Sequence, residues 1–390
     1  MSKHETVHII GAGPAGLTAA INLAKAGFPT VVHEKNEEVG KRFNGDFQGI
    51  ENWSTKEDAL SFLQNHGIEI DFLCDPYRNG VFYGPNLKAI RIKTKAPLFY
   101  LIERGTGEQS FDQGLKRQAL KAGVKFSWND DVQKMPAEKA IVSTGPKAAD
   151  IIAQGILFKT SHSDAYFGFV DDQIAPKGYA YLLVNKGRAT FATCLFEDFR
   201  NSQRYFDRAL VRMTEILNID VNDALPFGGF GNFFLPLVTG GQNEQAIYVG
   251  ESAGFQDALW GFGIRFAVLS GYLAAESIIH NKNYDQLVAE QILPLLKVTL
   301  ANRFLYDRAG NYGKQFLLNR IQKSQDVLAL LRKQHQLSGL KKILFKVAKR
   351  WYRTRLIDKN CLHENCDCIW CRCGKKDNTF PNFTVNTNSP

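Results

Sequence analysis

Val7-His8-Ile9-Ile10-Gly11-Ala12-Gly13-Pro14-Ala15-Gly16-Leu17 is the stretch that decides the fold. A short apolar strand runs into three glycines, at positions 11, 13 and 16, and these open a small-residue helix from Leu17 to Ala26. A second strand follows, Thr30-Val31-Val32-His33, ending on Glu34, eighteen residues beyond Gly16. Gly11 makes the tight turn from strand to helix, Gly13 lets the backbone approach a pyrophosphate, and Gly16 lets the helix lie close on the strand. Unpaired N–H groups at the helix N-terminus favour an anion there. The unit, with Ala12, Pro14 and Ala15 filling the turn, predicts a bound adenine dinucleotide. Glu34, with Lys35 beside it, is placed to accept hydrogen bonds from ribose hydroxyls. An acid here disfavours a 2′-phosphate and so argues against NADP. The bland alternative is a glycine-rich turn that happens to precede a helix; strand, helix, strand and acid in register argue against it.

A chain of 390 residues is long enough for two joined subdomains and a tail. The 28 phenylalanines suit a wide apolar cavity, and equally a Phe-rich core. The strand at Val7 leaves no space for a charged and then apolar leader, and no run of about eighteen apolar residues appears. The expectation is cytosolic exposure, with seven cysteines serving as thiols or metal ligands rather than disulfides.

Farther along, Val39-Gly40-Lys41-Arg42 forms a loop passing over the dinucleotide. Ser110 caps a helix reaching Ala122. Ala140-Ile141-Val142-Ser143-Thr144-Gly145-Pro146 reads as a buried strand returning to the dinucleotide domain. Gly178–Val184 and Arg188–Thr193 flank the hairpin turn Asn185-Lys186-Gly187. Gly250-Glu251-Ser252-Ala253-Gly254 ends another strand, and Gly261-Phe262-Gly263-Ile264 opens a second small-residue helix, Arg265 to Ile279. The expected fold is α/β with an α+β insert. A Rossmann-like domain spans 1–160 with 240–282, and a β-sheet substrate subdomain spans 161–239 with part of 70–102. A helical basic region spans 283–357, and a Cys-rich tail 358–390.

In these segments the chain resembles FAD-dependent oxidoreductases of the p-hydroxybenzoate hydroxylase-like fold, and among them the geranylgeranyl reductase family. The resemblance is carried by Gly11–Glu34, by Phe111-Asp112-x-x-Leu115 with Ala119 and Gly123, and by Ala175-Pro176-Lys177-Gly178-Tyr179-Ala180-Tyr181. Gly250–Gly254 with Gly261-x-Gly263-Ile264-Arg265-x-Ala267 and Ser270-Gly271 complete it. Glu251 stands where the family usually has Asp, Tyr181 where Trp is frequent, and Arg104 lies seven residues before Phe111.

The resemblance implies an extended FAD. Gly11, Ala12, Gly13, Pro14, Ala15, Gly16, Glu34 and Lys35 would hold its ADP half. Arg42, Arg104, Gly250 and Glu251 would meet its middle, and Gly261, Gly263 and Ile264 its isoalloxazine ring. It further implies hydride transfer to an isolated double bond of a prenyl lipid, with Tyr179 and Tyr181 as the cavity wall and proton relay. Both tyrosines are equally readable as sheet residues in a core. No second G-x-G-x-x-G with a β-α-β unit is present, so electrons would come transiently from NAD(P)H or a reduced protein partner. A monooxygenase of the same fold remains an alternative, as does a membrane-surface flavin-binding protein without reductase activity. A halogenase is disfavoured by the absence of Trp-x-Trp-x-Ile-Pro.

Between Arg332 and Arg355 there are nine Lys or Arg and no acid. The segment 340–355 reads as a basic amphipathic helix for peripheral contact with the inner face of the cell membrane, with Phe345 and Trp351 at headgroup depth. A solvated basic face is the plainer reading, and no nucleic-acid motif accompanies the charge. Cys361, Cys366, Cys368, Cys371 and Cys373 place five thiols in thirteen residues. Such a set suits zinc or an iron–sulfur cluster, or else redox thiols.

Overall fold

The structure is a computed structural model that describes residues 5–132, 139–146, 149–233, 239–240 and 246–354. In chain order its elements begin with β1 (Val7–Ile10), α1 (Pro14–Lys25), β2 (Thr30–Glu34), β3 (Phe47–Glu51) and α2 (Ala59–Asn65). They continue with β4 (Cys74–Tyr77), β5 (Asn79–Tyr83), β6 (Ala89–Lys93), β7 (Phe99–Glu103), α3 (Phe111–Lys121) and β8 (Lys125–Trp128). Next come β9 (Ala140–Val142), β10 (Ile151–Lys159), β11 (Ala165–Phe169), β12 (Tyr179–Asn185), β13 (Arg188–Leu195), α4 (Ser202–Leu217) and β14 (Leu225–Gly231). The last are β15 (Ala246–Tyr248), α5 (Ile264–Ile279), α6 (Tyr284–Gln291), α7 (Leu293–Gln322), α8 (Val327–Gln334) and α9 (Gly339–Thr354).

Three sheets result. The dinucleotide sheet is parallel, in the order β15-β9-β1-β2-β8. Thus Ala140–Val142 returns beside the opening strand, as its apolar run suggests, and Ala246–Tyr248 pairs with Ala140–Val142 on the far side. A seven-stranded sheet has the order β14-β10-β13-β12-β11-β5-β6, and β3-β7-β4 form a small antiparallel sheet. Strand β10 pairs with β13 and β14. The second chain segment of the larger sheet therefore begins at Ile151, before the boundary expected at residue 160.

Local chemistry explains the elements. Ser110 Oγ accepts a hydrogen bond from Gln113 N at 3.2 Å and starts α3. In the β12–β13 hairpin Asn185 pairs with Arg188, and Lys186 and Gly187 both take positive φ, the requirement of a two-residue type I′ turn. Helices α1 and α5 cross closely because both are lined with small residues. A Cβ on Gly271 would lie 2.1 Å from the Ala15 carbonyl oxygen, so only glycine fits there. This contact seats the opening of α1 against the middle of α5.

The C-terminal helices depart from expectation at one place. Helix α7 is broken at Gly310 (φ 54°, ψ −163°). Helix α9 packs on its first half, with Ala348 and Tyr352 buried among Leu300 and Phe304. Phe345, expected at headgroup depth, packs against that same cluster instead. The helix has two apolar faces, and the one bearing Phe345 meets the protein.

Candidate active site

The ends of β1, β2, β9 and β15 and the openings of α1 and α5 converge on one cavity of about 820 Å³. Every residue that the sequence assigns to the cofactor or to the cavity wall lines it, apart from Gly16. Gly16 sits beneath the turn, where a Cβ would lie 2.2 Å from Gly11 O. Its N–H is taken by Ser143 Oγ of the segment after β9, at 2.9 Å. Gly13, in contrast, has only distant neighbours (a Cβ would find Ser143 at 3.9 Å), which leaves its face to the cavity.

Glu34 is already tied into the turn. Its Oε2 accepts from Ala12 N at 2.9 Å, and its Oε1 accepts from Asn36 N and Nδ2. Each carboxylate oxygen has two acceptor positions, so Oε2 retains one for a ribose hydroxyl. Arg104 meets the opening of α3 in space despite its distance in sequence. Its guanidinium donates to both oxygens of Asp112 at 2.9 Å and to Gln48 Oε1 at 3.2 Å. Burial works against the Arg104 charge, but Asp112 outweighs it and holds the group above its ordinary value.

The segment before α5 carries unsatisfied acceptors. Gln256 Nε2 donates to Glu251 Oε1 at 3.1 Å and to Gly261 O at 3.0 Å. Glu251 Oε2 and Gln256 Oε1 are left buried with no hydrogen-bond partner. The Arg42 guanidinium lies 3.6 Å from Glu251 Oε2, and burial raises the Glu251 carboxyl against the opposing pull of Arg42 and Arg104. Both residues line the cavity. Two buried acceptors without donors fit a group bearing hydroxyls and an N–H there, as a flavin does.

Beyond this segment the cavity turns aromatic. Trp53, Phe82, Tyr166, Tyr179, Tyr181 and Phe262 form much of its wall. The Tyr179 hydroxyl donates to Trp260 O at 2.6 Å, and burial raises both Tyr179 and Tyr181 well above the usual phenol value. Cys194 lies beside Tyr179, its thiol pushed up by burial to about 12. Sequence reasoning missed Tyr166. It sits in β11 with a buried hydroxyl that has no hydrogen-bond partner. The only signal was the aromatic run Tyr166-Phe167, which reads the same way as core. The far wall is built by Leu317, Leu318 and Ile321 of α7 and Leu331 of α8.

Behind the α5 opening, Asp257 accepts from Leu259 N at 2.8 Å and from Trp260 N at 3.2 Å. Buried Arg303 of α7 donates to Leu259 O at 2.9 Å and fixes the same loop. Burial raises the Asp257 carboxyl to about 7. The five C-terminal cysteines lie outside the described residues. Among the described residues no cluster of His, Cys, Asp or Glu is arranged to hold a metal.

Residues 9–47 match the family model of the NAD(P)-binding Rossmann-like domain. A digeranylgeranylglycerophospholipid reductase of Methanococcus vannielii is 24% identical over 328 residues, covering 72% of this chain and 79% of that protein. The structure of a geranylgeranyl bacteriochlorophyll reductase-like protein from Thermoplasma acidophilum superposes with a TM-score of 0.66 at 19% identity, covering 89% of this chain and 97% of that one. A flavin-dependent brominase shares the fold more loosely, with a TM-score of 0.61 at 16% identity over 90% of this chain and 99% of its own. The chain is thus similar over most of its length to digeranylgeranylglycerophospholipid reductases, and it is built on the fold it shares with the geranylgeranyl bacteriochlorophyll reductase-like and flavin-dependent structures.

Proposed function

We propose that the protein reduces isolated double bonds of a prenyl, geranylgeranyl-type lipid with bound FAD. The observation that carries this reading is the continuity of a single cavity, from the glycine turn at Gly11–Gly13 to the aromatic and aliphatic wall ending on Leu317 and Ile321. A cavity polar at one end and apolar at the other suits a dinucleotide and a hydrocarbon chain meeting in the middle. The parallel sheet then carries the cofactor and the seven-stranded sheet the lipid.

In this reading Gly11, Ala12, Gly13, Pro14, Ala15, Glu34 and Lys35 hold the ADP half, with Gly16 supporting the turn. Arg42, Arg104 (through Asp112), Gly250 and Glu251 hold the middle, and Gly261, Gly263 and Ile264 border the ring. The bound flavin supplies a hydride equivalent. An unactivated alkene offers no group to polarise, so the wall must position it and exclude water. Trp53, Phe82 and Phe262 do this. Tyr179 is held in place by Trp260. Tyr166 and Tyr181 are the phenols that hold a proton for the second alkene carbon, since the Tyr179 hydroxyl is committed to a carbonyl. Electrons arrive from NAD(P)H or a reduced protein that binds transiently. The five cysteines are assigned to zinc or an iron–sulfur cluster, which metal analysis of anaerobically purified protein checks.

The direct test is anaerobic reduction of purified, flavin-loaded protein in the presence of detergent-dispersed geranylgeranyl lipids, followed by mass spectrometry. The expected product is heavier by two hydrogens per bond reduced. Unchanged lipid alongside fully reduced flavin overturns the reading. An oxygenated product in air would favour the monooxygenase alternative.

A further inference from the structure

Helix α9 packs on the protein through one apolar face, and a second apolar face is exposed. Leu340, Ile343, Val347 and Trp351 are exposed at 67, 63, 47 and 47%. At 3.6 residues per turn they fall within an arc of about 80°, next to the arc that carries buried Ala348 and Tyr352. On the other side of this stripe run Lys342, Lys346, Lys349 and Arg350, all exposed. An apolar stripe flanked by cations, on a helix anchored from behind, has the chemistry of an interfacial helix on an anionic bilayer.

A second observation sets the direction of that face. The C-terminal end of α9 meets α7 just before the break at Gly310: Arg308 lies 4.4 Å from the Trp351 ring, and the Tyr352 hydroxyl bonds Asp307. Just past the break, Tyr312 and Phe316 are exposed at 88 and 62%, one helical turn apart. The same segment turns Leu317, Leu318 and Ile321 toward the cavity. The α7 segment that closes the apolar end of the cavity thus presents aromatic residues to the outside.

We propose that the outer face of α9, continued by Tyr312 and Phe316 of α7, docks this protein on an anionic lipid bilayer beside the α7 part of the cavity wall. The purpose of this docking rests on the prenyl-lipid reading, since such a substrate resides in a bilayer; its test does not. Charge decides the occupant. No acid lies between Arg332 and Arg355, so negative headgroups match the surface and a second copy of the same basic helix does not.

The test is flotation of the full-length, flavin-loaded protein with phosphatidylcholine vesicles, with and without phosphatidylglycerol. Binding is expected only to the anionic vesicles, weakening as salt rises. Lys342→Glu should lower the partition constant about fivefold, and Lys342→Glu with Lys346→Glu more steeply. Ile343→Ser with Val347→Ser should lower it about tenfold or more. These side chains point away from the α7 contact, so the thermal midpoint should not move. Reduction of detergent-dispersed lipid should also persist in the variants, which separates a failure of docking from a failure of the reductase reading. The proposal is overturned if the full chain ignores anionic vesicles. It is equally overturned if the variants bind as well as the parent, or if they convert a stable dimer to monomer.

Discussion

Arg104 and Asp112 face each other through two hydrogen bonds of 2.9 Å, one from Nε and one from Nη2, and both side chains are buried. The pair joins the end of β7 to the first turn of α3 beneath the cavity. Breaking it strands a buried charge. Asp112→Ala should cost about 3–5 kcal/mol of stability, measured by urea denaturation. Arg104→Lys cannot reproduce the two-pronged contact and should fall between the parent and that variant.

Gly271→Ala should force α1 and α5 apart, because the added carbon would sit 2.1 Å from the Ala15 carbonyl. We expect a loss of about 1–3 kcal/mol. Retained flavin should drop as well, read as the ratio of absorbance near the flavin band to protein absorbance. Gly339→Ala, where a Cβ also meets nothing within 4 Å and which lies away from the cavity, is the control that should lower neither.

Two tyrosines on the same wall should respond oppositely to loss of the hydroxyl. Tyr166→Phe removes a buried group that has no partner, and should leave stability equal or raise it by about 1 kcal/mol. Tyr179→Phe removes the donor to Trp260 O and should lower stability by about 1 kcal/mol. If Tyr166 holds the proton, its variant combines sound folding with a slower oxidative half-reaction, measured by stopped-flow absorbance with prenyl lipid. An unchanged rate would remove Tyr166 from the chemistry.

Asp257 should leave a signature in the pH dependence of stability. Burial, reinforced by Glu51, raises its carboxyl from 3.8 to about 7 in the folded protein, against backbone N–H bonds and Arg303. The folded state binds this proton more tightly than the unfolded chain. Its contribution is therefore complete below pH 3.8 and is lost as pH rises toward about 7. Asp257→Asn should flatten that fall, measured by thermal midpoints across the interval; an unaltered slope assigns it to other groups.

The parts of this site readable from the sequence are those made by neighbours in the chain. Gly11, Gly13, Gly16 and Glu34 act within one β-α-β turn, Ser110 caps its own helix, and Asn185–Arg188 closes its own hairpin. Such features follow from local backbone requirements. The unread parts are made at a distance. Arg104 finds Asp112 only once β7 and α3 are packed. Tyr166 looks like any strand aromatic until its hydroxyl is seen to lack a partner. For α9 the pattern shows two apolar faces, and only packing on α7 tells Phe345 from Ile343.

Strands β5 and β6 lie within the N-terminal half of the chain, yet complete a sheet otherwise built from residues 151–231. Between β2 and β15 the chain passes from one large sheet to the other and back twice. No single cut therefore separates the lobe of the parallel sheet from the lobe of the seven-stranded sheet. The two are braided, and neither can be expressed as a contiguous fragment. Exchanging the seven-stranded sheet for that of another protein requires replacing two chain segments together, residues 79–93 with 151–231, rather than fusing one domain to another.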